Sequence, residues 1–257
     1  MTTSLLNSLL RALLRWGAAL VFCLPLRHRS HFWARACGML FPLLLLAQLL
    51  DPLAQSTTLW QQQLLLLVLY ISFFALLGGM IYLCTDINKK GALYCAVWSL
   101  LIAQCAYEGW CFLELQFARY GHPLNMASPW AVLVQLLSGA VFFAAVYLLL
   151  ARQLPYKGEY HIGPRQLFSA FFIGILFMVQ AAVLDNFRAE QFPRSVIATI
   201  LIGQFYFITL LYFQSELFKK SAMEKEMNAL NLLYERQRQQ YQVARQNVQI
   251  INKRCHE

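Results

Sequence analysis

Seven stretches of this chain are apolar over about the length needed to cross a bilayer, roughly 20 helical residues. They are 5–24, 33–50, 64–83, 92–117, 129–150, 166–184 and 195–217. A hydrocarbon core satisfies no backbone polar group, so segments of this kind must be helices or closed barrels. Continuous apolar runs, rather than alternation with a period of two, favour helices. The first run is the weakest, because Arg11 and Arg15 interrupt it one turn apart. An amphipathic helix lying in the interface is its alternative. The expected fold class is all-α: a polytopic membrane bundle of six to seven spans, followed by a long cytoplasmic coiled-coil helix.

Charge marks a boundary. Residues 219–257 carry 12 of the 33 Asp, Glu, Lys and Arg side chains, so the expected organisation is a transmembrane domain at 1–217 and a cytoplasmic helix at 218–257. The net charge of +9 has a topogenic reading, since Lys and Arg concentrate in cytoplasmic loops and hold a protein against anionic lipid. No basic-aromatic nucleic-acid motif accompanies it, so no nucleic-acid partner is expected. With the C-terminal helix inside, loops 25–32, 84–91 and 151–165 with flanking Arg35 hold eight basic residues, whereas the outside loops hold three, Arg119, Arg188 and Arg194. The chain is therefore expected in the cell membrane with its C-terminus cytoplasmic. The outer loops are too short to fold into a ligand-binding domain, which leaves the bundle, its outer mouth or the lipid to receive a stimulus. The N-terminus reads as retained rather than as a signal peptide. None of the seven cysteines forms a CxxC pair, so neither a disulfide framework nor a metal site is expected.

From Met223 the chain follows a 4-3 spacing through Met227, Leu230, Tyr234, Gln237, Tyr241, Ala244, Val248, Ile251 and Cys255. Nine of these ten positions are apolar or aromatic, against six of the remaining 27 in 221–257, so the seam is a helical stripe rather than chance. Neither Pro nor Gly interrupts it. Residues 214–257 as a helix extend roughly 66 Å. Such a stripe requires a partner, and the simplest is its own copy in a parallel homodimer. Polar Gln237 and bulky Tyr234 and Tyr241 weaken the seam, either as tolerated residues or as a seam able to move between two registers. Heptad counting puts His256 beside the seam, on the exposed face.

The layout, and above all Gln246-Asn247-Val248-Gln249-Ile250-Ile251-Asn252-Lys253-Arg254-Cys255-His256-Glu257, resembles the sensor region and dimerisation helix of bacterial GHKL-type sensor histidine kinases with polytopic sensors. The stretch Leu24-Pro25-Leu26-Arg27-His28-Arg29, then His31-Phe32-Trp33, resembles that group less specifically. The resemblance implies that His256 is the phosphoacceptor, that Glu257 helps orient or deprotonate it, and that the chain works with a kinase ATP-binding domain and a response regulator in two-component signalling. It departs from the family in lacking a second hairpin helix and a nucleotide site. Alone, then, it is expected to hold no cofactor, with ATP and magnesium entering only through a separate kinase domain. A transporter or channel subunit with a coiled-coil assembly tail is the competing reading, and a truncated kinase decoy is another.

Within the spans, Glu108 and Glu114 are costly in hydrocarbon. Glu114 lies near the outer end, where a solvated carboxylate suffices. Glu108 lies deeper, and an ion pair with Arg11 is the expectation it raises. His28 and His31 read as surface residues near headgroups, as do His122 and His161 in loops, and Gly78-Gly79 as helix packing.

Overall fold

A computed structural model describes residues 2–55, 59–121, 128–149, 151, 163–164, 166–176 and 193–256. The described residues are helical, with no strand among them. The helices are α1 (Thr2–Cys23), α2 (Phe32–Gln55), α3 (Leu59–Cys84), α4 (Lys89–Arg119), α5 (Pro129–Leu149), α6 (Gln166–Leu176) and α7 (Pro193–His256). Four hold a segment long and apolar enough to cross a membrane: Leu5–Cys23, Leu67–Cys84, Lys89–Arg119 and Pro129–Leu149. Shorter apolar segments are Phe32–Gln48, Gln166–Leu176 and Ile197–Leu210. By length and composition this is a membrane protein. Two compact units divide the chain, Met1–Tyr212 and Phe213–Glu257.

In the first unit, α4 is the most enclosed span, with 78% of its window buried. It packs against α1, α3 and α5, while α1 packs against α2, α3, α4 and α5. The first segment is thus part of the bundle, not a helix set apart from it. Small residues let it in: Ala12, Ala18 and Ala19 are fully buried, and Gly17 receives the ring of Phe143. Reciprocally, Gly139 of α5 receives Leu14. Close approach at small residues is the usual device where lipid removes the hydrophobic drive between helices. The order of these two contacts makes α1 and α5 parallel.

Side-chain links fix the remaining pairs. Trp16 Nε1 donates to the Ala36 carbonyl at 2.7 Å, joining α1 to α2. Arg35 donates to the Leu83 carbonyl at 2.8 Å, joining α2 to the end of α3. Phe74 of α3 meets Phe171 of α6 edge-on, with centroids 5.2 Å apart. Gly174 of α6 lies against Val97 of α4. At one end the loops 24–31 and 85–88 are joined by an isolated antiparallel bridge between His28 and Thr85. Arg29 N donates to Cys84 O at 3.0 Å, and Asp86 N to Arg27 O at 2.9 Å. The Arg29 guanidinium also faces the Asp86 carboxylate at 3.7 Å. Helix α4 starts beside this junction, where the Asn88 side chain accepts from Gly91 N at 2.7 Å in the usual N-cap geometry. It stops at Tyr120 and Gly121, the latter at φ +80°, a conformation glycine adopts without a Cβ clash.

The bundle's outer faces are apolar. Phe41, Val141, Leu149, Phe168, Ile202 and Phe205 are each at least 66% exposed. A water-soluble protein rarely exposes so much apolar surface, whereas a lipid-facing one must.

Candidate functional site

Polar residues inside an apolar bundle identify the place where chemistry or sensing is possible. They gather at one level, on α1, α4, α5 and α7. Arg11 and Glu108 lie roughly 20 to 30 Å along their helices from the ends that meet the paired loops, and Gln135 lies about 20 Å from the C-terminal end of α5. Glu108 is 2% exposed, Gln135 3% and Gln104 8%.

Arg11 reaches α4. Its Nη2 donates to Tyr107 Oη at 2.7 Å, and its guanidinium sits 4.7 Å from the centroid of the same ring. Arg15, one turn on, lies 3.8 Å over the ring of Phe73. A weakly hydrated planar cation over an aromatic face is the cheapest way to hold Arg in a dry bundle. An ion pair with Glu108 is the expectation the sequence raises for Arg11; the hydrogen bond described goes to Tyr107, one residue before it. Glu108 is engaged from another side: Gln204 Nε2 of α7 donates to Glu108 Oε2 at 3.2 Å and to the Cys105 carbonyl at 3.3 Å.

Three pairings align α7 with α4. Ile200 packs against Phe112 and Leu115, Gln204 meets Cys105 and Glu108, and Phe207 lies 6.4 Å from Trp98 between ring centroids. As α7 advances, its partners on α4 recede, so the two run antiparallel. Residues 200–207 therefore head toward the end that carries the paired loops.

Next to Gln204 is an open-sided crevice of about 240 Å³ between α4, α5 and α7. Its walls are Trp110, Phe112, Leu113, Phe142, Ile200 and Leu201. Its floor is small: Cys105, Ala106 and Gly109, and a Cβ added at Gly109 meets nothing within 4 Å. The polar part of the lining is Gln204 and Ser138, whose hydroxyl donates to the Gln135 carbonyl at 2.9 Å.

Of the residues expected from the sequence to carry chemistry, His256 is the last residue of α7. Glu257 lies outside the described residues. Along the second unit, the stripe residues Met223, Met227, Leu230, Tyr234, Tyr241, Val248 and Ile251 are 56–71% exposed. His28 does more than face solvent: its Nε2 is 3.2 Å from the Cys23 carbonyl at the end of α1, and its ring lies 4.2 Å from that of Phe32. His31 has φ +58° and its carbonyl accepts from Arg35 N, which starts α2. His122 and His161 lie outside the described residues. Gly78 lies 3.6 Å from the Ala96 methyl once given a Cβ, in keeping with a packing role. Among the described residues, no group of three or more His, Cys, Asp or Glu could hold a metal ion.

Sequence reasoning missed Tyr107, Gln135, Gln204 and Gly109. A signal existed for two of them, since Gln135 and Gln204 are isolated amides within long apolar runs. Compared with described protein families, with curated proteins and with solved structures, the chain matches none.

Proposed function

We propose that this protein is the membrane-embedded input half of a two-component sensor, relaying a stimulus through a dimeric cytoplasmic helix to His256. Six to seven spans form the receptor, with the basic loops and the C-terminal helix inside. The pairing of loops 24–31 and 85–88 at one end supports that orientation, because it gathers Arg27 and Arg29 of the first loop with Lys89 and Lys90 at the start of α4.

One observation carries the reading. In a single copy, the heptad stripe from Met223 to Ile251 is left in solvent along a polar helix. Each buried Leu or Met is worth about 1.5–3 kcal/mol, so an unoccupied stripe of seven is a standing drive to associate. A second copy, leaving the same membrane face in the same direction, fits it in register. His256 then sits beside the seam within reach of a kinase ATP-binding domain, either on a continuation of the chain or on a separate polypeptide. One imidazole nitrogen attacks the γ-phosphorus, the bond to the bridging oxygen breaks, and ADP leaves with that oxygen. The Glu257 carboxylate takes up the proton released from the other nitrogen. A response regulator would receive the phosphoryl group.

Disulfide cross-linking through Cys255 in native membranes, with the other exposed thiol removed by Cys37→Ser, tests the dimer. Ready dimer formation is the expected result, and tails that stay apart overturn the proposal. With a kinase domain supplied, an acid-labile phosphoryl group should appear and His256→Gln should abolish it. Label persisting in that variant removes His256 from the mechanism.

The buried Glu108–Gln204 contact is the one feature that favours a transport subunit instead. Ion flux in proteoliposomes that disappears in Glu108→Gln would establish that reading, and its absence removes it.

A further inference from the structure

We infer that the crevice between α4, α5 and α7 is a binding site for the alkyl tail of a neutral single-chain amphiphile whose head donates a hydrogen bond. The site exists whatever the tail does; only its effect on signalling rests on the sensor reading above.

The lining sets the tail. A space of about 240 Å³ walled by Trp110, Phe112, Phe142 and Leu201 is apolar and open to the side. Ligand pockets run from roughly 300 to 1,000 Å³, so this one takes a single chain rather than a two-chain lipid body. Water is a poor occupant, because apolar cavities stay dry. Gly109 is essential to the shape: open space lies where its side chain would be.

The polar corner sets the head. An amide side chain can be placed either way round, but here the choice is forced. The nitrogen of Gln204 faces two acceptors, the Glu108 carboxyl and the Cys105 carbonyl, and each takes one of its hydrogens. The Cys105 side chain also hydrogen-bonds Gln204, and Gln204 Oε1, with two lone pairs, retains capacity to accept. Ser138, with its hydrogen committed to the Gln135 carbonyl, adds a second acceptor. A corner of acceptors beside a carboxyl selects a hydroxyl or amide N–H head and disfavours a carboxylate or phosphate. A ligand there would wedge α7 from α4 at Gln204, on the helix that continues toward the tail.

The test uses the full chain in phosphatidylcholine nanodiscs, titrated with a terminally brominated undecanol whose bromine quenches tryptophan on contact. The expected result is saturable quenching that Trp110→Phe removes. Gly109→Leu, which fills the crevice, should abolish the saturable component, while Gly109→Ala should keep it. Leu201→Phe, at a half-exposed wall position, provides a second filler should Gly109→Leu fold poorly. Gln204→Leu should weaken binding about tenfold, as should replacing the alcohol by bromoundecanoate. Nanodiscs made with brominated-chain phosphatidylcholine separate the occupants: quenching of Trp110 that added undecanol relieves shows a two-chain bilayer lipid in the crevice and overturns the single-chain assignment, whereas quenching that appears only with added brominated alcohol supports it. Quenching that is only linear in the unaltered chain, and the same in Gly109→Leu and Leu201→Phe, overturns the site. The quenching reads the crevice and the cross-linking reads the tail, so this outcome is independent of the Cys255 result.

Discussion

In the unit Met1–Tyr212 polar side chains are the minority and the deepest of them lie inside; in Phe213–Glu257 apolar side chains are the minority and lie outside. In each unit the informative residues are those placed against their solvent. In the bundle, Arg11, Glu108 and Gln204 have found partners within one chain. In the tail, Met223, Leu230 and Ile251 stand in water. The lesson is that Arg11, Glu108 and Gln204 are engaged within one chain, whereas the stripe of the tail is not covered by it.

The strongest way to break this contrast is to make a bundle residue fail its partners. Glu108→Lys puts an ammonium group against the Gln204 amide hydrogens in a buried position. It should cost about 3–5 kcal/mol, seen as loss of folded protein after membrane extraction. A normal yield would mean that Glu108 is not enclosed. Next, Leu230→Asp should remove about 2–3 kcal/mol from tail association and suppress Cys255 cross-linking, with thermal unfolding of the bundle unchanged. If both move together, the two units are not energetically separate. Third, Gly139→Val drives a side chain toward Leu14 and should lower stability by about 1–3 kcal/mol, whereas Gly109→Ala should be neutral or raise it by up to about 1 kcal/mol. Equal effects at the two glycines would erase the distinction between a packed notch and an open one. The smallest effect belongs to Tyr107→Phe, which removes the hydrogen bond from Arg11 but keeps the ring beneath it. About 0.5–1.5 kcal/mol in unfolding free energy is expected.

Helix existence was legible because continuous apolar runs and an uninterrupted heptad leave little choice. The level of a buried group was legible too: counting residues from the inner ends puts Arg11 and Glu108 at similar depth. Azimuth was not. One residue is about 100° of turn, so Tyr107, whose hydroxyl accepts from Arg11, leaves α4 at a different angle from Glu108, and depth alone did not single it out. The crevice left no trace in any single run, because its walls come from α4, α5 and α7 and its opening from a glycine that hydropathy scarcely registers. His256 was legible only as part of a motif. The fold puts it at the close of α7, and the chemistry proposed for it would draw on groups from a kinase domain.

The bridge between His28 and Thr85 has a mechanical consequence. Two loops that exchange backbone hydrogen bonds stitch together the adjoining ends of α1, α2, α3 and α4. Sliding one of these helices along its axis by a single residue, about 1.5 Å, would strain or break those bonds. Tilting about the stitched end leaves them intact. A perturbation arriving among these helices would therefore be expressed as a change of angle, with the far ends spreading or closing like the arms of a pair of tongs.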